Sequence, residues 1–233
     1  MDYSHFVALK GEFEAEGLSR NQAAAEAAYA ASNGLPYLVK IGGCEAKSDM
    51  RFLAQIGVRR IVAPMIESAF AMSKYMDMLD VGAFDHIGVT IETIDAVERI
   101  EALLDAGKHL TEVTVGRSDL TASFGGAGVD SDETVRMVKT VAAAAKRRGL
   151  KFTMGGSVSA GTRELLQRDA ELRDTIDCVE TRKCVIPVPA FLEDGALTAA
   201  FAVETELLDM QNAYHGAITN AASRRLKQIR SRL

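Results

Sequence analysis

The chain predicts an α/β fold, a (β/α)8 barrel of the TIM type, extended at its carboxyl end by a long helix. Short apolar runs rich in β-branched residues alternate with longer amphipathic segments, the pattern of strands and helices wound in turn. Glycines follow several of the helical segments, at Gly34, Gly57, Gly107 and Gly149, where a left-handed residue ends a helix cheaply. Polar residues stand at nearly every strand end: Glu12, Glu14, Lys40, Glu67, Glu92, Asp119, Ser157 and Arg182. A doubly wound open sheet gathers its ligands at one switch point, whereas a barrel builds a rim from many strands. The spread of these residues therefore favours the barrel.

Seven strands are expected, at 5 to 12, 37 to 41, 60 to 65, 87 to 92, 112 to 116, 151 to 156 and 178 to 186. An eighth is not obvious, and an atypical or missing first strand would account for that. Helices are expected near 19 to 32, 46 to 56, 68 to 79, 94 to 106, 131 to 148 and 160 to 169. The segment 131 to 148 shows the logic. Ser131 can cap its start, acids follow in the first turn, Val135, Val138, Val141 and Ala145 form one stripe, and Lys146, Arg147 and Arg148 meet the negative end of the helix dipole. Right-handed crossovers then lay such helices over a parallel sheet.

The barrel is assigned to residues 1 to 190 and a helical extension to 191 to 233. From about 198 to 231 the chain has little Gly or Pro, and Val203, Leu207, Met210, Tyr214, Ala217 and Ala221 recur at the 3.5-residue spacing of helix packed on helix. A helix of that length would overhang one barrel, so contact with a neighbouring subunit in a homo-oligomer is expected. Folding back on its own barrel is the alternative. The basic end RRLKQIRSRL reads as a solvated helix terminus.

Composition narrows the function. Hydrophobic residues make up 48%, charged residues 25%, and the formal net charge is -5, with no broad basic face for a nucleic acid. A small-molecule partner is favoured. Three cysteines, Cys44, Cys178 and Cys184, form no CxxC pair and fit a reducing compartment. No run of about 18 apolar residues and no basic-then-apolar leader is present, so a cytoplasmic protein without membrane contact is expected.

Glu92 and Asp119 are the first candidates for chemistry. Each stands where an apolar strand runs out, and neighbouring strands lie about 4.8 Å apart, so two inward acids at one level can reach one ion. Two carboxylates with water and substrate oxygens suit Mg²⁺ or Mn²⁺. Helix-start acids are the competing reading. Lys40, beside Gly42 and Gly43, could bind substrate charge, form a Schiff base or remain an ion-paired lysine. Glu12 and Glu14 share a strand face by period two, and one of them could act as acid/base; Glu180 and Arg182 share a face likewise and are expected to pair, either as site residues or as an ion pair that closes the barrel. The four histidines lie away from the rim and read as structural or exposed.

Taken in order, VKIGGCEA, VAPMIES, VTIET and VGRSDLTASFGG resemble the HpcH/HpaI aldolase and citrate lyase beta-subunit family, of the phosphoenolpyruvate and pyruvate barrel superfamily. The likeness covers roughly residues 8 to 190. It implies a barrel that binds a divalent metal and a 2-oxo acid such as pyruvate or oxaloacetate, and makes or breaks the adjacent carbon-carbon bond. The metal ligands it implies are Glu92 and Asp119. Backbone N–H groups around Gly116, Arg117 and Ser118 would meet the oxo acid's carboxylate, Lys40 would stabilise the developing enolate, and Glu67 would support the metal from the rim, with a helix-start acid as the other reading of that position.

Three departures accompany the resemblance. Lys40 stands where the aldolases usually carry arginine, which replaces a bidentate fork by a point charge. Ala15 stands where they carry a histidine, so Glu14 is left as the candidate acid/base. The chain also begins about one strand later than its relatives. The expected function is a metal-dependent lyase of the aldolase type acting on a 2-oxo acid and an aldehyde, with Lys40, Glu14 and Arg182 in the catalytic set. A condensing transferase that uses an acyl thioester, or a relative that binds a sugar-derived or phosphorylated acid, are the alternatives.

Overall fold

The computed structural model describes residues 2–231. Among them, eight strands close into a barrel in chain order. They are β1 Ala8–Glu12, β2 Tyr37–Lys40, β3 Arg60–Ala63, β4 His86–Ile91, β5 Glu112–Gly116, β6 Lys151–Gly155, β7 Cys178–Glu180 and β8 Cys184–Pro187. Helices α1 Arg20–Ser32, α2 Lys47–Gln55 and α3 Ala69–Met78 follow the first three strands. The helix expected over 94 to 106 is interrupted at Arg99, giving α4 Ile94–Glu98 and α5 Ile100–Asp105. Helices α6 Arg117–Ser123 and α7 Asp132–Arg147 follow β5, and α8 Ala160–Arg168 and α9 Ala170–Thr175 follow β6. The chain ends in α10 Val188–Phe191 and α11 Ala196–Arg230.

The eighth strand corrects the expectation of seven with a missing first. The run 178 to 186 is a hairpin: β8 turns back and pairs antiparallel with β7 on one side and β1 on the other. The other neighbours, from β1 to β7, are all parallel. Reversal follows from length, because a parallel return needs a crossover of a dozen residues and only Thr181, Arg182 and Lys183 intervene. Thr181 closes the turn: its backbone N–H donates to the Cys184 carbonyl at 2.9 Å, and its hydroxyl accepts from the Cys184 N–H at 3.1 Å.

Strand alternation divides the core. Outward residues, among them Leu9, Val39, Ile61, Val89, Val113, Phe152, Val179 and Ile186, join the helices in one apolar layer. Helix α7 is built as its pattern predicts, with Ser131 accepting from the Thr134 N–H and Val135, Val138, Val141 and Ala145 buried. Inward, Ala8, Leu38, Val62 and Val185 form a separate apolar plug. Above the plug the lumen is polar, with Lys10, Glu12, Thr90, Glu92 and Glu180 all buried.

Because β8 runs from mouth to base, α11 starts near the base and climbs the outside. Ala196, Ala200, Val203 and Leu207 are buried, while Leu208, Ile218, Leu226 and Ile229 are exposed. The first two seam residues, Val203 and Leu207, thus face the chain's own barrel, and Gln211 still donates to Glu26 at 2.8 Å. No helix among the described residues is long and apolar enough to cross a membrane.

At the base of the barrel Glu112 and His86 approach to 3.6 Å. Burial pushes the Glu112 carboxyl up to about 7 and the His86 imidazole down to about 4. Between pH 4.5 and 6.5 the folded pair carries one proton, on Glu112, and the unfolded chain also carries one, on the histidine. The two linkages therefore cancel. Replacing Glu112 by Gln leaves His86 alone, whose contribution is present above about 6.5 and lost as pH falls. Urea unfolding should show E112Q losing about 2 kcal/mol relative to wild type between pH 6.5 and 5. A difference that does not change with pH would refute the two opposed, burial-driven titrations.

Candidate active site at the barrel mouth

The carboxyl ends of the strands surround a cavity of about 350 Å³ that brings together Lys10, Glu12, Lys40, Glu92, Asp119 and Glu180. Lys10 was not anticipated. It is 5% exposed, and its ammonium donates to Glu180 at 2.8 Å and lies 2.7 Å from Glu12. Lys40 donates to Glu92 at 2.6 Å and stands 3.9 Å from Glu12. The sequence signal for Lys10 is the same period of two that pairs Ala8 with Glu12: all three point inward.

Charge distribution follows from these contacts. Burial opposes the Lys10 ammonium, but Glu180 and Glu12 outweigh it and hold its pKa above the usual lysine value. Burial likewise pushes Glu12 up, and Lys10 first, then Lys40 and Arg182, bring it below the ordinary carboxylate range. At Glu92 burial prevails: its pKa is raised despite Lys40 and a hydrogen bond from the Met65 N–H at 3.2 Å, and the charge of Asp119 adds to the rise. Glycines on adjoining strands make room for the acids. A Cβ at Gly116 would fall 2.8 Å from the Glu92 side chain, and one at Gly155 2.7 Å from that of Glu180.

The turn after β5 is held from behind. Arg117 is fully buried, pairs with Asp130, and donates to the carbonyls of Gly155 and Gly156 at 3.0 Å and to Thr162 at 3.1 Å. Its guanidinium serves the scaffold, while Gly116, Ser118 and Asp119 face the cavity. Gly156, at φ +83°, crosses so close that a Cβ there would meet the backbone nitrogens of Arg117 and Ser118 at 2.5 Å. Ser118 and Ser157 hydroxyls share a 2.8 Å hydrogen bond above it.

Three expected rim residues are placed differently. The strand ends at Glu12, so Glu14 lies in the following turn, exposed and against Gly42, and the period-two argument does not reach it. Ala15 lines the cavity instead. Glu67 is exposed just before α3 and outside the cavity lining, because β3 stops at Ala63. Arg182 occupies the hairpin turn, so it does not pair with Glu180. It reaches the mouth and stands 3.9 Å from Glu204 of α11.

The donor chemistry at Glu92 and Asp119 fits a hard divalent cation that keeps its own waters, which needs only one or two carboxylates. Among the described residues no cluster of three or more His, Cys, Asp or Glu is arranged to hold a metal, so a site of four protein ligands does not fit.

An (α/β) barrel with an ionic, water-accessible mouth is the class that fold and site define. Solved structures share that architecture. The chain is similar to an HpcH/HpaI aldolase from Desulfitobacterium hafniense, with TM-score 0.61 and 16% identity over 85% of this chain and 82% of that one. An HpcH/HpaI aldolase/citrate lyase family protein from Burkholderia cenocepacia gives TM-score 0.65 at 16% identity, covering 88% and 87%. The citrate synthase SbnG gives 0.61 at 14%, covering 88% and 86%. No sequence-family model matches the chain, and no curated protein matches it in sequence. At these identities the likeness establishes the fold.

Lys40 and Glu92 offer a direct test of the mouth's electrostatics. A carboxyl whose folded pKa is raised contributes stability that is complete below its unfolded value, near 4.3, and is lost as pH rises through the folded value. Replacing Lys40 by Met removes the cation that limits this rise. Urea unfolding should show K40M less stable than wild type by about 3 kcal/mol at pH 8, with the gap narrowing toward pH 4. The double variant K40M/E92Q should recover most of it. An equal deficit at both pH values would assign the loss to packing.

Proposed function

We propose that the chain is a divalent-metal-dependent carbon-carbon lyase of the aldolase type, acting on a 2-oxo acid. The observation that carries the reading is the convergence of Glu92, Asp119 and Lys40 with the β5 turn on one cavity. The likeness of the fold to HpcH/HpaI aldolases supports it by analogy. Glu92 and Asp119 would hold Mg²⁺ or Mn²⁺, which when bound supplies a Lewis acid for the oxo group.

The chain's own residues have separate tasks in such a cleavage. The Lys40 ammonium stabilises negative charge growing on the enolate oxygen. Glu12, in the cavity where Glu14 is not, takes the role of base: the lysines keep it ionised and weaken its basicity, and the proton it accepts leaves a hydroxyl whose charge passes to the enolate. It takes the hydroxyl proton of a 4-hydroxy-2-oxo acid as the bond between carbons 3 and 4 breaks. The electron pair forms the enolate of pyruvate, an aldehyde leaves, and a proton returned to carbon 3 completes the product. Backbone N–H groups at Arg117 and Ser118 orient the substrate carboxylate.

A condensing transferase is the second reading, favoured by the likeness to citrate synthase SbnG. Thiol release from acetyl-CoA and oxaloacetate would select it. The lyase reading expects pyruvate release from a 4-hydroxy-2-oxo acid, abolished by a chelator and restored by Mn²⁺. Calorimetric titration with Mn²⁺ should show affinity reduced about tenfold or more in E92Q and in D119N, since each removes one of two charged ligands. Unchanged Mn²⁺ affinity in both would remove the metal from the proposal.

A further inference from the structure

Arg182 has a placement that the proposed reaction leaves unused. In an eight-stranded barrel closed in chain order, the β7–β8 hairpin stands across the mouth from β4, the strand that leads to Glu92. The hairpin is held rigidly at its next residue. Lys183 is 1% exposed and pairs with Glu16 and with both oxygens of Glu26, at 3.0 and 2.9 Å. Tyr37 donates to the same Glu26 at 2.7 Å. Arg182 itself is the opposite: its side chain is 53% exposed, and it makes no hydrogen bond among the described residues.

Three cationic side chains line the cavity, and the other two, Lys10 and Lys40, are bonded to carboxylates. Arg182 alone donates no hydrogen bond among the described residues, although its charge is felt at Glu12 across the cavity. Its neighbour Glu204 lies 3.9 Å away, beyond hydrogen-bonding reach, close enough to orient a guanidinium without occupying it. Phe201, one turn earlier on α11, presents an exposed ring to the same cavity and forms an apolar wall beside it. A planar fork of N–H donors next to an apolar surface matches a carboxylate carried on a short hydrocarbon chain.

We propose that Arg182 receives a second carboxylate at the far end of the substrate, so that the mouth selects dianionic 2-oxo acids over those with a neutral tail. The assignment rests on the oxo-acid reading, which places the other end of the substrate at Lys40, Glu92 and Asp119. Lys183 is then a positioning residue for the hairpin, and Phe201 packs on the chain between the two anionic groups.

Two probes isolate the far carboxylate: 2-oxoglutarate and 2-oxovalerate share a five-carbon skeleton and differ in a terminal carboxylate against a methyl group. In calorimetric titrations of the full chain with Mn²⁺ present, wild type should bind 2-oxoglutarate at least about tenfold more tightly, the size expected for one charge-assisted contact. R182Q should bring the ratio to about one and leave 2-oxovalerate unchanged, and E204Q should preserve or widen the wild-type ratio. Arg182 is half exposed, so circular dichroism of R182Q should match wild type. If 2-oxovalerate binds and R182Q keeps the wild-type ratio, or wild type shows no preference, the role of Arg182 is overturned while the oxo-acid reading stands. If wild type binds neither acid, the oxo-acid reading falls and this assignment with it.

Discussion

The ionic ladder at the mouth depends on one buried lysine. Lys10 reaches from β1 past β8 to Glu180 on β7 while also holding Glu12 on its own strand. A buried charge costs several kcal/mol unless it is paired, and a pair loses more when one partner is removed than it gains by existing. Without Lys10, Glu12 and Glu180 would face each other and Glu92 as half-desolvated like charges at the floor of the mouth. The geometry of every other group in the cavity assumes that this repulsion is neutralised.

The reversed strand sets the second constraint. By turning back over three residues, β8 fills the last place in the barrel without a crossover helix, and it delivers the chain to the base. Helix α11 can therefore climb to the mouth and bring Phe201 and Glu204 into the cavity wall. The hairpin and the helix are joined through Glu26, which accepts from both Lys183 and Gln211. Closure of the sheet and completion of the cavity are thus the work of the same few residues.

Much of this was legible in the sequence because strand alternation is strict. Val39, Ile61, Val89 and Val113 face outward as their pattern requires, and Ser131 caps α7 where expected. The hairpin was hidden because Thr181, Arg182 and Lys183 include no Gly, Asn or Pro, and a threonine hydroxyl closes the turn instead. Glu14 lies two residues beyond the end of β1, where period two no longer holds, and Glu67 lies four residues beyond the end of β3, where nearness to a strand end no longer brings a side chain to the mouth. Lys10 is not legible as a site residue from local pattern, because its partner Glu180 is 170 positions away. Whether an inward position is a charge clamp or a plug is decided by the facing strands.

The reversed final strand also bears on how the molecule comes into being. Until residues near Val185 are available to meet Ala8, the sheet has two open edges. Long-range closure of this kind is slow, and unpaired edges attract other chains. The pairing of Lys10 with Glu180 belongs to the same step, because both flank the place that β8 fills. A nascent chain halted before the hairpin would hold its early strands and most of its helices, yet would lack the cation clamp on which the acids of the mouth depend. Completion of the charged mouth and closure of the barrel are in this sense one folding event, reached only when synthesis has passed the hairpin.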